Sequence, residues 1–175
     1  MPKLEVQKPV PVERKVFAKN LKDARAAAGY TLQELSALTH LTYQYISDME
    51  RGLHNISLLS MSSLSVGLRV PLYALLNPNL SKVWTFNDEV AWSNYQKLID
   101  DAKPAVLEQL LLAKNVRRYR KEAGLTQKET DQLGNYKAGL TSDIERQYIN
   151  ITLDRMAPLV SILGISLHKI FDPNS

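Results

Sequence analysis

Three histidines, 18 acidic side chains and no cysteine are the material from which this 175-residue chain would have to build a catalytic or metal centre. The missing cysteine removes disulfides, thiolate zinc sites and cysteine nucleophiles together, and fits a reducing compartment. His40, His54 and His168 are scattered, and none has a second ligand three or four residues away, the spacing that puts two imidazoles on one metal. There is no glycine-rich phosphate loop, no nucleophile elbow and no paired-carboxylate motif. These patterns point away from an enzyme, a metal site or a cofactor. A different chemistry is suggested by Arg117, Arg118, Arg120 and Lys121, a basic run that is ordinarily a solvated helix face but would hold phosphates beside a duplex.

The elements that must position such residues are repeated. Shifted by 95 residues, positions 9–78 lie over 104–173 without a gap, and 23 of the 70 pairs are identical. Lys19-Asn20 recurs as Lys114-Asn115, Glu50-Arg51 as Glu145-Arg146, Asn55-Ile56 as Asn150-Ile151, and Pro9 and Pro78 as Pro104 and Pro173. Seventy residues suits a small domain better than a solenoid unit. The expected organisation is a tail (1–8), domain 1 (9–78), a connector (79–103) and domain 2 (104–173), a diverged copy. The formal charge of +4 divides as +2 on each repeat, so charge alone nominates no binding face.

Each repeat parses as five short helices, with no run of period-two alternation to suggest a strand. Phe17, Leu21, Ala24 and Ala28 form one helical stripe, and Leu112, Val116, Tyr119 and Ala123 repeat it. Gly29 and Gly124 stand where a left-handed C-cap is wanted. Thr31 with Glu34, and Thr126 with Glu129, have capping-box spacing. His40 and Asn135 are types that tolerate the positive φ of a tight helix-helix turn. Thr42 is placed to cap a third helix, Ser57 and Thr152 a fourth, and Leu72 and Leu167 begin a short fifth. Pro158 should kink or restart the fourth helix of the second repeat.

Two short helices joined by a turn of three or four residues, followed by more helix, make a helix-turn-helix arrangement. The stretch Thr31 to Gly52, Thr-Leu-Gln-Glu-Leu-Ser-Ala-Leu-Thr-His-Leu-Thr-Tyr-Gln-Tyr-Ile-Ser-Asp-Met-Glu-Arg-Gly, resembles the signature of Xre/Cro-type DNA-binding domains, the group of the lambdoid phage repressors. Ile165-Ser-Leu-His-Lys-Ile-Phe171 is similar to the closing helix of that family. The resemblance implies an all-α fold of two tandem five-helix, lambda-repressor-like domains joined by a helical connector. It further implies a sequence-specific transcriptional regulator, of the repressor kind, with double-stranded DNA as its partner.

In such proteins the third helix enters the major groove. Thr42, Tyr43, Gln44 and Ser47 would then face DNA, with Gln44 able to make a paired contact to adenine. Phosphates would be held at the start of the second helix, where the family commonly has glutamine. Gln127 matches that position, whereas repeat 1 has Leu32, leaving Thr31, Gln33 and Arg51 as substitutes. Arg25 with Glu50, and Arg120 with Glu145, match a structural ion pair that ties the first helix to the end of the third. Repeat 2 departs further: Asp131 replaces Ser36, Thr130 replaces Leu35 and Thr141 replaces Ile46. Its third helix is expected to open at Lys137-Ala138-Gly139, with Lys137, Ala138 and Ser142 as contacts and Arg117 and Arg118 on phosphates.

Leu32, Asp131 and Gly139 favour an alternative, a protein-binding antiactivator or antitoxin-like regulator with a degenerate helix-turn-helix. The connector lacks glycine and carries Trp84, Phe86, Trp92 and Tyr95, aromatics that would pack against the repeats or form a homodimer seam. Asn87 is a plausible cap for a connector helix. No apolar run reaches membrane-span length, and Met1-Pro2-Lys3-Leu4-Glu5 lacks the apolar core of a secretory signal, so the expected location is cytoplasmic.

Overall fold

The apolar stripes fold as helices. The computed structural model describes residues 11–80, 89–102 and 104–174. In chain order the helices are α1 (Val12–Ala27), α2 (Leu32–Thr39), α3 (Tyr43–Glu50), α4 (Leu58–Leu68) and α5 (Leu72–Leu75). After these come α6 (Glu89–Ala102), α7 (Pro104–Glu122), α8 (Gln127–Leu133), α9 (Leu140–Glu145), α10 (Leu153–Ile162) and α11 (Leu167–Ile170). Among the described residues there is no strand, only one isolated antiparallel bridge between Ser57 and Thr152.

Local chemistry sets the boundaries. Phe17, Leu21 and Ala24 are at most 1% exposed, which fixes the buried face of α1. That helix stops where Gly29 turns to φ 73°, and the amide of Tyr30 reaches back to the carbonyl of Arg25 at 3.1 Å. Both capping boxes form. The Thr31 amide donates to Glu34 at 2.8 Å and the Thr126 amide to Glu129 at 2.7 Å. These backbone donors hold both carboxyls below the usual glutamate range. Asn20 and Asn115 are buried, and each donates to the end of the fifth helix of its own set or just beyond it: Asn20 to the carbonyls of Leu75 (2.9 Å) and Asn77 (2.8 Å), Asn115 to that of Ile170 (2.8 Å).

The α1–α5 set and the α7–α11 set meet along a reciprocal seam. The Leu58 amide donates to the carbonyl of Ile151 and the Leu153 amide to that of Ile56, both at 2.8 Å. The Asp154 amide donates to Asn55 Oδ1 at 3.1 Å, and the Leu59 amide to Asn150 Oδ1 at 3.2 Å. Each bond is the other displaced by 95 residues. Residue i touching j while j's counterpart touches i's is the pattern of a self-complementary interface about a two-fold axis, here inside one chain. Helix packing follows it: α1 lies on α10, α4 on α7, and α5 on α11. Arg14 forks onto the Asp154 carboxylate, with Nε 3.0 Å from Oδ1, and joins α1 to α10. The buried apolar side chains of both sets form one continuous cluster.

Two expectations fail for local reasons. Thr152 does not cap α10 through its side chain; its hydroxyl accepts a hydrogen bond from Asn55 Nδ2 across the seam at 3.1 Å. Pro158 lies inside an unbroken α10. Its ring is exposed, while its neighbours Met156, Ala157, Leu159 and Val160 are buried, so packing outweighs the one lost backbone bond.

Helix α6 packs on α7 through buried Trp92, Tyr95 and Ile99. Trp84, Phe86 and Asn87 lie outside the described residues. Tyr95 stacks edge-on against Tyr73, with ring centroids 6.1 Å apart, and donates its hydroxyl to Glu108. Glu108 is 2% exposed, and its Oε2 has no hydrogen-bond partner among the described residues. Burial pushes its carboxyl up to about 8, and the Tyr95 hydroxyl offsets only part of that. The folded chain therefore keeps a proton that the unfolded chain releases near pH 4.5. Stability is full below that pH, falls as pH rises toward about 8, and then levels off. Glu108→Gln, neutral throughout, should flatten this slope in urea titrations run between pH 5 and pH 9; an unchanged slope would place the proton elsewhere.

Candidate nucleic-acid interface

The turn between α2 and α3 needs a left-handed residue, and His40 supplies it at φ 57°. Ser36 donates to the carbonyl of Leu41 at 2.6 Å, fixing the turn from beneath. Thr42 then caps α3, accepting from the Tyr45 amide at 3.3 Å. Ile46 and Met49 are fully buried, so α3 has one inward face and one outward face. On the outward side Thr42, Tyr43 and Gln44 are exposed and Ser47 is half-buried. Thr31 and Gln33, at the start of α2, are also exposed.

Asp48 organises this surface, a role the sequence reading did not give it. Its Oδ1 accepts from Gln44 Nε2 at 3.1 Å and lies 3.4 Å from Arg51 Nη1, while its Oδ2 is 3.4 Å from His54 Nε2. Gln44 is therefore held by a neighbour one turn along its own helix. The signal was available, since Gln44 and Asp48 have the spacing of a helical pair. His54 in turn packs edge-on against Tyr45, with centroids 5.4 Å apart.

The geometry of the expected structural ion pairs is repeated almost unchanged. Arg25 Nε donates to Glu50 Oε1 at 2.6 Å and Nη2 to Oε2 at 2.9 Å; the Arg120–Glu145 distances are 2.6 and 3.2 Å. Each guanidinium also donates to a loop carbonyl, that of Tyr30 at 2.8 Å or Leu125 at 2.7 Å. Bidentate pairs of this kind fix direction as well as distance. They hold the end of the third helix of each set against the first.

The second set differs at the helix start. Gly139 has φ 95°, in the left-handed region, and α9 begins only at Leu140. Lys137 and Ala138, expected to open this helix, instead precede it and are exposed. With no side-chain cap of its own, the helix is received by Asp131 from α8. The Asp131 carboxylate accepts from the amides of Gly139 (2.8 Å) and Thr141 (2.9 Å) and from the Thr141 hydroxyl (2.5 Å). Thr130 is likewise satisfied, donating to the carbonyl of Thr126 at 2.9 Å. Asp131 and Thr141 thus form one network, with a buried carboxyl at the N-terminus of α9, while Thr130 is satisfied separately within α8. Gln127, expected on phosphate, donates to Glu145 Oε2 at 2.8 Å. Of the basic run, Arg120 is taken up by Glu145, and Arg118 lies 4.2 Å over the Tyr119 ring and 3.6 Å from Glu122. Arg117 and Lys121 are exposed. Among the described residues no group of three His, Asp or Glu side chains is close enough to hold a metal ion.

Residues 21–75 match the family model described as helix-turn-helix. The match begins within α1 and runs to the end of α5, enclosing the α2–turn–α3 unit. The chain is also similar to the crystal structure of the clp gene regulator ClgR from Corynebacterium glutamicum, with 23% identity, 55% of this chain and 99% of that chain covered, and a TM-score of 0.39. No curated protein matches the chain. No helix among the described residues is long and apolar enough to cross a membrane.

The ion pairs and the acidic cap give separable predictions. Glu50→Ala strands a mostly buried guanidinium and should cost about 3 kcal/mol, with Glu145→Ala similar. Asp131→Ala should cost about 2 kcal/mol by leaving the amides of Gly139 and Thr141 unpaired. Chemical denaturation monitored by circular dichroism reads all three; losses below about 0.5 kcal/mol would show that these groups remain hydrated.

Proposed function

We propose that the chain is a sequence-specific DNA-binding transcriptional regulator built from a tandem duplication, 9–78 and 104–173, of one five-helix unit, with 79–103 as its connector. The observation that carries the reading is the helix-turn-helix match over 21–75, within which α3 presents exposed Thr42, Tyr43 and Gln44. In this reading α3 lies in the major groove, and Gln44 exchanges its bond to Asp48 for a base edge, with adenine the natural partner for its paired donor and acceptor. Tyr43 and Thr42 meet a thymine methyl or a phosphate, and Ser47 borders the groove. The amides at the start of α2, with Thr31 and Gln33, hold backbone phosphate, and Arg51 adds charge at the far end of α3.

The duplication is supported by the recurrence of the ion pairs, capping boxes and buried asparagines at a 95-residue offset. The reciprocal seam supports a further step: the two units are paired within one chain as the two halves of a repressor dimer are paired between chains. Half-sites about one duplex turn apart, roughly 34 Å, are the expected spacing. The second unit contributes chiefly phosphate contacts, from Lys137, Arg117 and the backbone around Ala138 and Ser142, because its third helix is short and carries a carboxylate at its start. That same carboxylate favours a second reading for this unit, a protein-binding module of the antiactivator or antitoxin kind. In the DNA-binding reading the protein is a cytoplasmic regulator and not an enzyme.

Selection of bound duplexes from a random pool, followed by anisotropy titration at two salt concentrations, tests the proposal. A selected site should bind with affinity falling steeply with salt. Gln44→Ala should weaken the selected site by about ten- to a hundredfold and leave random duplex nearly unchanged. Lys137→Ala should weaken all sequences alike and lower the salt slope by about one. Failure to enrich any duplex at low salt would overturn DNA reading.

A further inference from the structure

The reciprocal seam makes the two sides of the molecule comparable position by position. On one side, α6 covers the groove between α7, α4 and α5. Its Tyr95 donates to Glu108, stacks against Tyr73, and lies beside Ser65 and the backbone of Leu72. Leu107 and Leu111, at the start of α7, are 7% and 8% exposed. Shifting each of these residues by 95 positions gives Glu13, His168, Val160, Leu167, Val12 and Val16. All six line a single groove between α1, α10 and α11, with a volume of about 270 Å³. No described helix covers it. Val12, the counterpart of Leu107, is 70% exposed.

The groove keeps the chemistry of its covered counterpart. Val12, Val16, Val160 and Leu167 give it an apolar floor and wall. Glu13 stands where Glu108 stands, and Glu108 takes the hydroxyl of Tyr95. His168, in the place of Tyr73, has a buried Nδ1 with no hydrogen-bond partner among the described residues. An occupant must therefore match an acid as well as an apolar surface, and α6 shows which shape does so: an amphipathic helix with Trp92, Tyr95 and Ile99 along one face.

We propose that this groove is a docking site for an amphipathic helix of a protein partner, one that lays an aromatic and aliphatic stripe on Val12, Val16 and Leu167 and sets a hydroxyl or cationic donor on Glu13. The proposal rests on the duplicated architecture and not on DNA binding. Helix-in-groove recognition draws its affinity from an apolar face and its register from one or two polar contacts. The intramolecular pair Tyr95–Glu108 is the template for that polar contact.

The probe is a fluorescein-labelled synthetic peptide with the α6 sequence, Glu89–Ala102, titrated into the full chain and followed by anisotropy. Saturable binding on the order of 10 micromolar is expected. Val12→Arg and Ser161→Arg, both at exposed positions on this groove, should weaken it about tenfold while melting temperature and affinity for the selected duplex stay unchanged. Tyr95→Phe in the peptide should weaken binding to the native chain but make no difference to the Glu13→Ala chain, which has no acceptor there. Four outcomes overturn the proposal: no binding at about millimolar peptide, binding indifferent to Val12→Arg, binding that appears only when residues 1–10 are removed, or sedimentation showing a second copy of the chain in the groove. Loss of duplex binding with peptide binding intact would refute the DNA reading and leave this one standing.

Discussion

Two backbone hydrogen bonds at the Ser57–Thr152 bridge set the relation on which the rest of the molecule depends. They join the residues at which α4 and α10 begin, so the two sets are tied to one another by amides as well as by side chains. Backbone pairing of this kind fixes orientation at little cost in side-chain entropy. Asn55 and Asn150 flank it reciprocally, and the apolar contacts of α1 with α10, α4 with α7 and α5 with α11 surround it. The bridge alone contributes modestly to stability. Its importance lies in setting the register in which the large apolar interface can close.

Within each set, orientation passes outward through charged groups. Arg25 and Arg120 connect the first helix, the loop before the second, and the end of the third. Where the sets diverge, the solution to helix capping diverges with them. In the first set a neutral Thr42 caps α3 from the adjacent position. In the second, Asp131 reaches across from α8 and engages the amides of Gly139 and Thr141. At an offset of 95 residues Asp131, Lys137 and Thr141 stand in place of Ser36, Thr42 and Ile46: where there is no local cap a distant carboxyl serves, and the inward threonine gives that carboxyl a hydroxyl donor.

Much of this was legible in the sequence because it rests on local rules. Capping boxes, glycine stops, the left-handed turn at His40 and the apolar stripes are each set by a few adjacent residues. The ion pairs were legible through resemblance and recurrence. The seam was not, although Asn55 and Asn150 recur, since nothing in a repeat says that its copies will face one another. The acidic cap was also hidden. Read alone, Asp131 at a close-packed position looks like a defect, and its role emerges only with the positive φ at Gly139. Glu108 recurs as Glu13, yet one is fully buried and the other lines an open groove; the difference comes from α6, whose placement no repeat pattern encodes.

Pairing within one chain also changes what dilution can do. Two separate subunits separate as their concentration falls, and occupancy of any surface spanning them then varies with the square of that concentration. Here the partner half is always present at an effective concentration set by covalent connection. A ligand spanning both sets would therefore respond linearly to the number of chains. The halves are also free to differ in composition, as Gln44 and Gly139 do at equivalent positions, without the constraint that a change in one be made in the other.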